Sequence, residues 1–390
     1  MAARPQEGRK LRVVTLIDQL GITGGAERVA TEVVRRLDPD RFERTLCVSR
    51  WTAEEEADPL IAPRARALRE AGVRIVGIKR HSRLAVWAWA PLLSLLRAER
   101  IDVLHSHQFG SNFWASILGR MAGTPVVIAH EHNWSFEGQR LRRFVDRHVI
   151  ANRADTFLAV SRETRRGMIE LEGIDPQRIR FVPLGIATPA ATPGADVRTE
   201  LGIEDGAPVI GTACTLRPEK ALEVLVRAAA ALVENFPDLR VLIAGEGPDR
   251  ARVESAIDQL GLRETVTLLG GRGDIPDFLR ALDVAVCSSD WEGSPLSVME
   301  YMEAELPVVA TRVGGIPDMI SSGVEGVLVP PGEPEAIAAA VAELLRDPGR
   351  AAEMGRRGRR RRREEFDLDV TARRIGELYE ELYAAARRGG

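Results

Sequence analysis

The sequence is poor in the features that mark secreted and membrane-spanning proteins. It has three cysteines, far apart and each within or beside an apolar run: Cys47, Cys214 and Cys287. They lack metal-ligand spacing and predict reduced, buried thiols in a cytoplasmic protein. The first ten residues lack the apolar centre of a signal peptide. The most apolar helix candidate, Leu84 to Leu96, spans about thirteen residues and is too short to cross a bilayer.

The net charge is also small. The formal charge is -3, from 54 basic and 57 acidic side chains that are dispersed along the chain. This excludes a global basic field for nucleic acid, and the basic run Arg356 to Arg363 is read as a solvated helix face. A GxGxxG turn followed by an acid about twenty residues on is absent, which argues against a dinucleotide oxidoreductase.

What the sequence does contain is a repeated alternation of short apolar strands and amphipathic helices, beginning with a strand at Leu11 to Ile17. The pattern pauses in a stretch rich in Pro, Gly and Ala, and it restarts at Pro208. It predicts an α/β protein with two doubly wound parallel-sheet (Rossmann-like) domains facing a cleft. We expect domains at 1–185 and 206–365, a linker at 186–205, and a C-terminal helix at 366–390 that crosses back to the first domain.

The stretch from Ser288 to Pro317 is the most informative part of the chain. It lies between two predicted strands and carries Glu292 on a loop and Glu300 on a short helix. Small residues at a helix entry leave backbone N–H groups free for an anion, and the carboxylates suit sugar hydroxyls. This predicts a donor-binding loop whose remaining members are Gly293, Ser294, Pro295, Leu296 and Ser297.

Two other loops of the second domain also follow predicted strands. Arg217 and Lys220 come after its first strand, where both could face a diphosphate. Gly245 and Gly247 follow the next strand and would let a flat ligand group approach the backbone. Because loops at strand ends of a parallel sheet converge, these residues predict a nucleotide site.

The first domain has two candidate loops of its own. Gly24 and Gly25 lie between the first strand and its helix, where backbone can approach a ligand. Two histidine pairs come at predicted strand ends: His105 and His107, then His130 and His132. His-x-His can ligate metal, but no carboxylate or cysteine with zinc-like spacing accompanies it, so we predict no metal site.

These motifs resemble family 4 of the retaining glycosyltransferases, which have the GT-B fold. The resemblance covers nearly the whole chain and rests on the spacing of Glu292 and Glu300, Pro307-Val-Val-Ala-Thr, Val313-Gly-Gly-Ile-Pro317, Gly24 to Glu27, Leu216 to Lys220, Gly245 to Pro248, and Gly326 to Gly332. It implies that the C-terminal domain holds a nucleotide-sugar donor and the N-terminal domain an acceptor. It also implies chemistry in the cleft without an obligatory metal.

The resemblance assigns roles to the second-domain residues. Glu300 would hold the ribose, and Glu292 would contact the donor sugar near its reacting end. Arg217 and Lys220 would neutralise the leaving diphosphate. The sequence departs from the family at 214–216, where Cys-Thr-Leu replaces a common Gly-Arg-Leu, and at Ala221, which replaces a common glycine. Either Arg217 takes the role of the missing arginine, or the site has one cation fewer.

In the first domain, the resemblance places Gly24 and Gly25 beside the phosphates or the acceptor. It also places a histidine against the donor sugar, and the His-Glu-His sequence fits either His130 or His132.

The expected function is that of a retaining glycosyltransferase in polysaccharide, glycolipid or other glycoconjugate synthesis. It needs no cofactor, because the nucleoside-diphosphate sugar is a substrate. The acceptor is a sugar, a lipid-linked molecule or a small molecule, and no nucleic acid is involved. The helix with Trp87 and Trp89 leaves a peripheral contact with the inner face of the cell membrane open. The alternatives are an epimerase or phosphorylase on the same scaffold, or a binding module that senses nucleotide-sugar.

Overall fold

The computed structural model describes residues 9–20, 25–52, 56–59, 61–80, 86–132, 139–189, 194 and 196–389. The chain divides into two compact units. The first comprises Met1–Gly185 with Leu368–Gly390, and the second comprises Ile186–Asp367. Each unit is an α/β layer structure with its own parallel sheet, so the predicted fold class of two parallel-sheet domains is confirmed.

The first unit has a seven-stranded parallel sheet in the order β3-β2-β1-β4-β5-β6-β7. Its strands are β1 Leu11–Ile17, β2 Phe42–Val48, β3 Arg74–Gly77, β4 Val103–His107, β5 Val126–Glu131, β6 Thr156–Ala159 and β7 Ile179–Phe181. Its helices before the crossover are α1 Gly25–Arg36, α2 Ala62–Glu70, α3 Ala90–Ala98, α4 Phe109–Ala122, α5 Arg140–Val145, α6 Ala151–Arg153 and α7 Arg162–Glu170.

The second unit has a six-stranded parallel sheet in the order β10-β9-β8-β11-β12-β13. Its strands are β8 Val209–Ala213, β9 Arg240–Ala244, β10 Val266–Gly270, β11 Val284–Cys287, β12 Val308–Thr311 and β13 Gly326–Val329. Its helices are α8 Val197–Glu200, α9 Leu222–Val233, α10 Arg250–Gln259, α11 Ile275–Arg280, α12 Leu296–Glu303, α13 Ile316–Met319, α14 Pro334–Arg346 and α15 Pro348–Glu365.

The central strands are buried on both faces, which is why they read as continuous apolar runs. Every residue of β4, β5, β8 and β11 is buried. In the second unit, α9 and α14 pack their apolar faces on this sheet, with Leu225 and Val341 fully buried between them. Burial of each such side chain contributes about 1.5–3 kcal/mol to folding. This packing fixes the sheet, and with it the starting points of the loops that follow the carboxyl ends of its strands.

The C-terminal helix α16, Leu368–Gly389, belongs to the first unit. Tyr379 meets the ring of Phe42 edge to face at 6.0 Å between centroids. Arg41 donates from its Nε to Glu380 at 2.9 Å. The predicted C-terminal helix at 366–390 corresponds to α16, which follows directly after α15 ends at Glu365.

Two predicted elements differ from the structure. The single helix expected over Leu84 to Arg97 begins with a 3-10 turn at Val86–Trp89 and continues as α3 from Ala90; positions 81–85 lie outside the described residues. A helical segment over 140–153, with a π turn at Asp146–Ile150, was not anticipated, although Leu141, Phe144, Val145 and Val149 have helical spacing. Among the described residues, no helix is both long and apolar enough to span a bilayer.

Asp146 lies at this π turn and is 1% exposed. Arg142 ties the segment to the end of β5, with 3.0 Å from its Nη2 to Glu131 Oε2, and it lies 3.7 Å from Asp146 Oδ2. Burial, with the charge of Glu131, raises the pKa of the Asp146 carboxyl to about 7. The folded protein therefore holds this proton over a pH range in which the unfolded chain has lost it.

We predict that Asp146 makes the protein less stable as the pH rises from about 4 to about 7. The free energy of unfolding should fall by up to about 4 kcal/mol over this window, because the folded pKa lies above the unfolded one. Urea unfolding of Asp146→Asn at several pH values should show a flatter profile. The exposed control Asp40→Asn should keep the slope of the natural protein, and an unchanged slope in Asp146→Asn would contradict the prediction.

Candidate functional site

In the second unit, the strand order reverses between β8 and β11, and ligands of open α/β sheets bind at the carboxyl ends of strands at such a point. A pocket lies there, and the residues that line it come from the ends of β8 and β11, the loop before α9 and the entry of α12. They include Thr212, Lys220, Cys287, Ser289, Glu292 and Ser297. The structure thus brings together Lys220 with Glu292 and Ser297, from two separate predicted motifs.

The central contact of this pocket is an ion pair between Lys220 and Glu292. The Lys220 Nζ lies 2.6 Å from Glu292 Oε1, and the two side chains are only 19% and 9% exposed. Burial lowers the pKa of Lys220, but the charge of Glu292, the hydrogen bond to it and smaller contributions from nearby groups together outweigh burial and raise that pKa above its ordinary value. Lys220 is therefore a fixed cation across the physiological pH range.

Several contacts hold Glu292 in place. Ser289 donates from its Oγ to Glu292 Oε1 at 2.8 Å. Thr311, at the end of β12, donates to the Ser289 carbonyl at 2.6 Å. Gly314 has a φ of +56° and packs so closely that a Cβ there would overlap the Glu292 carbonyl oxygen. Sequence reasoning identified Glu292 but missed these supports; a signal for Gly314 was its place in the Val-Gly-Gly-Ile-Pro motif.

A tyrosine joins α12 to the end of β8. The buried Tyr301 hydroxyl lies 3.0 Å from Thr212 Oγ1 and accepts from the Ala213 N–H at 2.8 Å. Burial raises the pKa of this phenol, so it stays neutral. Sequence reasoning missed Tyr301, although it directly follows Glu300.

Glu300 is half-buried on α12, one turn beyond the helix entry. The helix begins after Pro295 without a side-chain cap, and its first N–H groups have no partner within the helix. Ser294, Leu296 and Ser297 are partly accessible at this entry, whereas Gly293 and Pro295 are buried. The predicted anion cradle is therefore stereochemically available, and the ligand roles of these residues stay predictions.

Gly245 and Gly247 lie tightly against neighbouring backbone. A Cβ on Gly245 would overlap the Cys214 carbonyl oxygen, and one on Gly247 would overlap the Leu216 carbonyl oxygen. The two glycines thus make room for the neighbouring backbone, which is held by a hydrogen bond from Leu216 N–H to Glu246 O at 3.0 Å. They shape the loop after β8, and a donor-binding role for them stays a prediction.

Arg217, unlike Lys220, lies outside the pocket. Its side chain is 52% exposed, lies 3.9 Å from Glu219 Oε1, and does not line the pocket. Ala221, where a glycine was expected, has a φ of +46°, in the left-handed region that L residues rarely adopt. The loop between β8 and α9 keeps a glycine-like backbone despite this alanine.

Four histidines of the first unit form one cluster. His105, His107 and His130 lie near the carboxyl ends of β4 and β5, still within the strands, and are 1–3% exposed. Only His132 lies beyond the strand, and it is half-buried. Alternate residues of a strand share a face, which is why each pair points the same way.

Hydrogen bonds connect the rings of this cluster. His105 Nδ1 lies 2.6 Å from the Tyr379 hydroxyl of α16, and His105 Nε2 lies 3.2 Å from His130 Nδ1. His107 Nδ1 lies 2.8 Å from His132 Nε2. Burial, followed by the proximity of the other rings, lowers the pKa of His105, His107 and His130 well below the ordinary value, and burial lowers that of His132 to about 3. Neutral imidazoles of this kind are the form that ligates metal.

Of the predicted glycine turn, Gly24 lies outside the described residues, and Gly25 is the exposed first residue of α1. Their proposed contact with phosphates or acceptor stays a prediction.

Comparison with known proteins identifies the family. Residues 195–361 match the description "Glycosyl transferases group 1", and residues 23–188 match "Glycosyltransferase Family 4". The chain is 31% identical to the alpha-maltose-1-phosphate synthase of Mycolicibacterium smegmatis, over 76% of this chain and 83% of that protein. This chain belongs to the family 4 glycosyltransferases. The prediction of a glycosyltransferase that uses a nucleoside-diphosphate sugar is confirmed at the level of the family, and the epimerase, phosphorylase and binding-module alternatives are not favoured.

One further relative and one solved structure agree with this family. A galactosyltransferase of Escherichia coli, named UDP-Gal:alpha-D-GlcNAc-diphosphoundecaprenol alpha-1,3-galactosyltransferase, is 28% identical over 61% of this chain and 65% of its own length. The crystal structure of Anabaena HepE in complex with UDP and glucose superposes with a TM-score of 0.80 at 20% identity, covering 95% of this chain and 100% of that one. This confirms GT-B glycosyltransferases as the structural neighbours of the fold.

We predict that Gly314→Ala will destabilise the second unit and displace Glu292. Left-handed backbone alone should cost about 1 kcal/mol, and the overlap with the Glu292 carbonyl should add at least about 2 kcal/mol. Gly323→Ala is the matched control, because its φ is +85° and nothing lies within 4 Å of the added Cβ. Urea unfolding of both variants measures the difference; equal losses would show that Gly314 does not support Glu292.

Proposed function

We propose that this glycosyltransferase moves a sugar from a nucleoside diphosphate to an acceptor hydroxyl with retention of anomeric configuration and without a metal ion. The observation that carries the proposal is the buried contact between Lys220 and Glu292 beside the entry of α12. Lys220 supplies a fixed cation, and the entry of α12 supplies backbone N–H groups, where a diphosphate would leave. Glu292 supplies a carboxylate where a sugar would react.

The proposed mechanism follows from the charge that develops. Departure of the diphosphate creates negative charge, which Lys220 and the N–H groups at the α12 entry stabilise without reorganising. The sugar becomes oxocarbenium-like, and the Glu292 carboxylate supports its positive charge. Glu300 is assigned to the ribose, and Glu292 Oε1 is engaged by Lys220 and Ser289, so neither carboxylate is evidently placed as a nucleophile for double displacement. We therefore favour attack by the acceptor on the face that the diphosphate leaves, with the leaving phosphate taking the acceptor proton.

The proposal for the substrates rests on the relatives. The names of the Escherichia coli and Mycolicibacterium smegmatis proteins specify a lipid-diphosphate-linked acceptor and a sugar phosphate product, respectively. The HepE structure holds UDP. We propose a nucleoside-diphosphate hexose as donor, with UDP-sugars tested first, and a sugar or lipid-linked acceptor in polysaccharide or glycolipid synthesis.

The proposed location is the cytoplasm, on the basis of three free thiols, of which Cys47 and Cys287 are buried. A peripheral contact with the inner face of the membrane is part of this proposal. Of the two tryptophans first considered for it, Trp89 is buried against Trp114, with ring centroids 5.5 Å apart, and does not serve. Trp87 is 79% exposed and remains available.

The experiment that tests the activity is a panel of nucleotide sugars. We expect one or a few donors to raise the thermal unfolding temperature of the full chain, and their nucleoside diphosphate to be released only when an acceptor is present. Turnover should survive a chelator, and proton NMR of the product should show the anomeric configuration of the donor. An inverted product would overturn retention, and loss of turnover with the chelator would overturn metal independence.

We predict that Lys220→Met will lower kcat about 10²–10³-fold, as loss of one preorganised charge-stabilising group does in other enzymes. Arg217→Ala should cost much less, because Arg217 is half-exposed outside the pocket. Arg263→Met, at a side chain that is 75% exposed, is the control for removal of a surface cation. Steady-state kinetics with the best donor provide the measurement, and a Lys220 variant as active as the Arg263 control would contradict the role of Lys220.

We also predict that Glu300→Gln will weaken donor binding more than it slows the chemical step. Loss of a ribose contact removes binding shared by ground and transition states, so KM for the donor should rise about tenfold with a smaller change in kcat. The variant should also lose discrimination against a donor with a deoxyribose. Glu254→Gln, at an exposed glutamate of α10, is the control. If Glu300→Gln keeps the full preference for ribose, the assignment is wrong.

A further inference from the structure

We propose that one helical layer of the first unit, made of residues 86–98, 109–122 and 140–153, docks on an anionic lipid surface. This docking deepens the proposed function and rests on it, because a lipid-linked acceptor would be met at such a surface. The position of the three segments, their exposed apolar side chains and their charge support the assignment.

The three segments lie side by side on one face of the first sheet. They connect β3 to β4, β4 to β5 and β5 to β6, and all three crossovers move across the sheet in the same direction. Right-handed crossovers that move in one direction share a face of the sheet. Trp89 stacks on Trp114 of α4, with ring centroids 5.5 Å apart. Arg120 Nε, near the end of α4, donates to the Arg153 carbonyl oxygen at 2.5 Å. The segments therefore form one continuous layer.

The layer exposes apolar side chains near the carboxyl edge of the sheet. A segment that connects parallel strands starts at that edge, because the preceding strand ends there. Leu141 is 78% exposed and Phe144 is 58% exposed, and their spacing of three positions in α5 puts them on one helix face. Val86 and Trp87, at the start of the first segment, are 55% and 79% exposed. Single exposed apolar residues are common, but two such pairs at the same end of one layer are typical of an interaction surface.

The layer is almost free of acidic side chains. Residues 86–98 and 109–122 contain one arginine each and no acid, and residues 140–153 contain five arginines and one acid, Asp146. At the average of the chain, 57 acids in 390 residues, about six acids would be expected over these positions. Asp146 is buried, so it does not lie at the surface.

The exposed charge beside the apolar side chains is positive. Arg140 and Arg147 are exposed, and neither pairs with an acid in the part of the chain that the structure describes. They flank Leu141 and Phe144 in the sequence of one helical segment. This surface is therefore basic, although the whole chain has a formal charge of -3.

The basic run Arg356 to Arg363 of α15 is built differently. Its arginines pair with acids, as Arg356 does with Glu353 at 2.8 Å and Arg363 with Glu303 at 2.8 Å. None of the large apolar side chains of α15 is exposed. This run therefore has the features of a solvated helix face, and it provides a matched control for the layer of the first unit.

Apolar side chains flanked by arginines suit the boundary between lipid headgroups and acyl chains. The apolar groups enter the boundary, and the guanidinium groups bind headgroup phosphates. A membrane leaflet with anionic lipids supplies the complementary charge. Because the exposed apolar pairs lie near the carboxyl edge of the first sheet, docking would bring a lipid-linked acceptor to the edge where ligands of such sheets bind.

The test is co-sedimentation of the purified full chain with lipid vesicles. Vesicles of phosphatidylcholine alone are compared with vesicles that also contain phosphatidylglycerol, at low and at high salt. We expect binding to the anionic vesicles and little binding to the neutral ones. High salt should weaken the binding, because salt screens the attraction between exposed charges.

The charge of the layer is tested with a double variant. Arg140→Gln combined with Arg147→Gln should weaken binding to anionic vesicles about 30-fold, since each arginine near such a surface contributes about a factor of five. Arg356→Gln combined with Arg357→Gln removes the same charge from α15 and should leave binding unchanged.

The apolar contact is tested with single variants. Leu141→Gln and Phe144→Gln should each weaken binding about tenfold, because each loses apolar area that the lipid would bury. Leu260→Gln is the control, at a leucine of the second unit that is 42% exposed. Circular dichroism checks that each variant is folded.

Three outcomes would overturn the proposal. The first is absence of binding to anionic vesicles, or equal binding to neutral and anionic ones. The second is a double variant of Arg140 and Arg147 that binds like the α15 control, because the contact would then lie elsewhere. The third is a lipid-free dimer, seen by sedimentation equilibrium, that Leu141→Gln dissociates, because a second copy would then cover the layer.

Failure of docking and failure of the proposed transferase activity are distinguishable. None of these readouts uses a nucleotide sugar. Turnover with a water-soluble acceptor should be the same in the natural chain and in the variants of Arg140, Leu141, Phe144 and Arg147, because these side chains lie outside the donor pocket.

Discussion

The second unit depends on a single electrostatic contact, the ion pair between Lys220 and Glu292. Two charges that are mostly removed from water are tolerated only when geometry and further hydrogen bonds compensate for desolvation. Here Ser289 supplies such a bond, Thr311 fixes Ser289, and close packing of Gly314 fixes the backbone of Glu292. The loops after β8, β11 and β12 are thereby tied to one another at the edge of the sheet.

The two units have opposite electrostatic character at their sheet edges. In the second unit, the buried groups are charged and paired, which suits a ligand that carries charge and releases more of it during reaction. In the first unit, the clustered histidines are held neutral by burial, and they offer nitrogen lone pairs and N–H groups. The proposed function uses the charged edge to stabilise a leaving anion, and neutral imidazoles suit directional contacts with an uncharged group.

Strand positions were predictable because parallel strands covered on both faces must be apolar throughout. β1, β11 and β13 begin and end where the apolar runs predicted. The helical segment over 140–153 was missed, although Leu141, Phe144, Val145 and Val149 have helical spacing among its five arginines. Leu141 and Phe144 are exposed in the structure, so this spacing does not mark a buried face. The histidine pairs lie at the ends of β4 and β5, where the ends of the apolar runs predicted them, although the strands continue through His107 and His130.

By itself, the sequence determined the α/β class, the family, and Lys220, Glu292 and Glu300 as the residues to examine, because apolar periodicity and motif spacing are local properties of the chain. Only the tertiary structure decided that Lys220 pairs with Glu292 across 72 positions, while Arg217 remains half-exposed. It also decided that Gly245 and Gly247 accommodate the neighbouring loop, and that Tyr379 reaches His105 from α16. Contacts between distant segments depend on how helices and strands pack, and no local pattern encodes them.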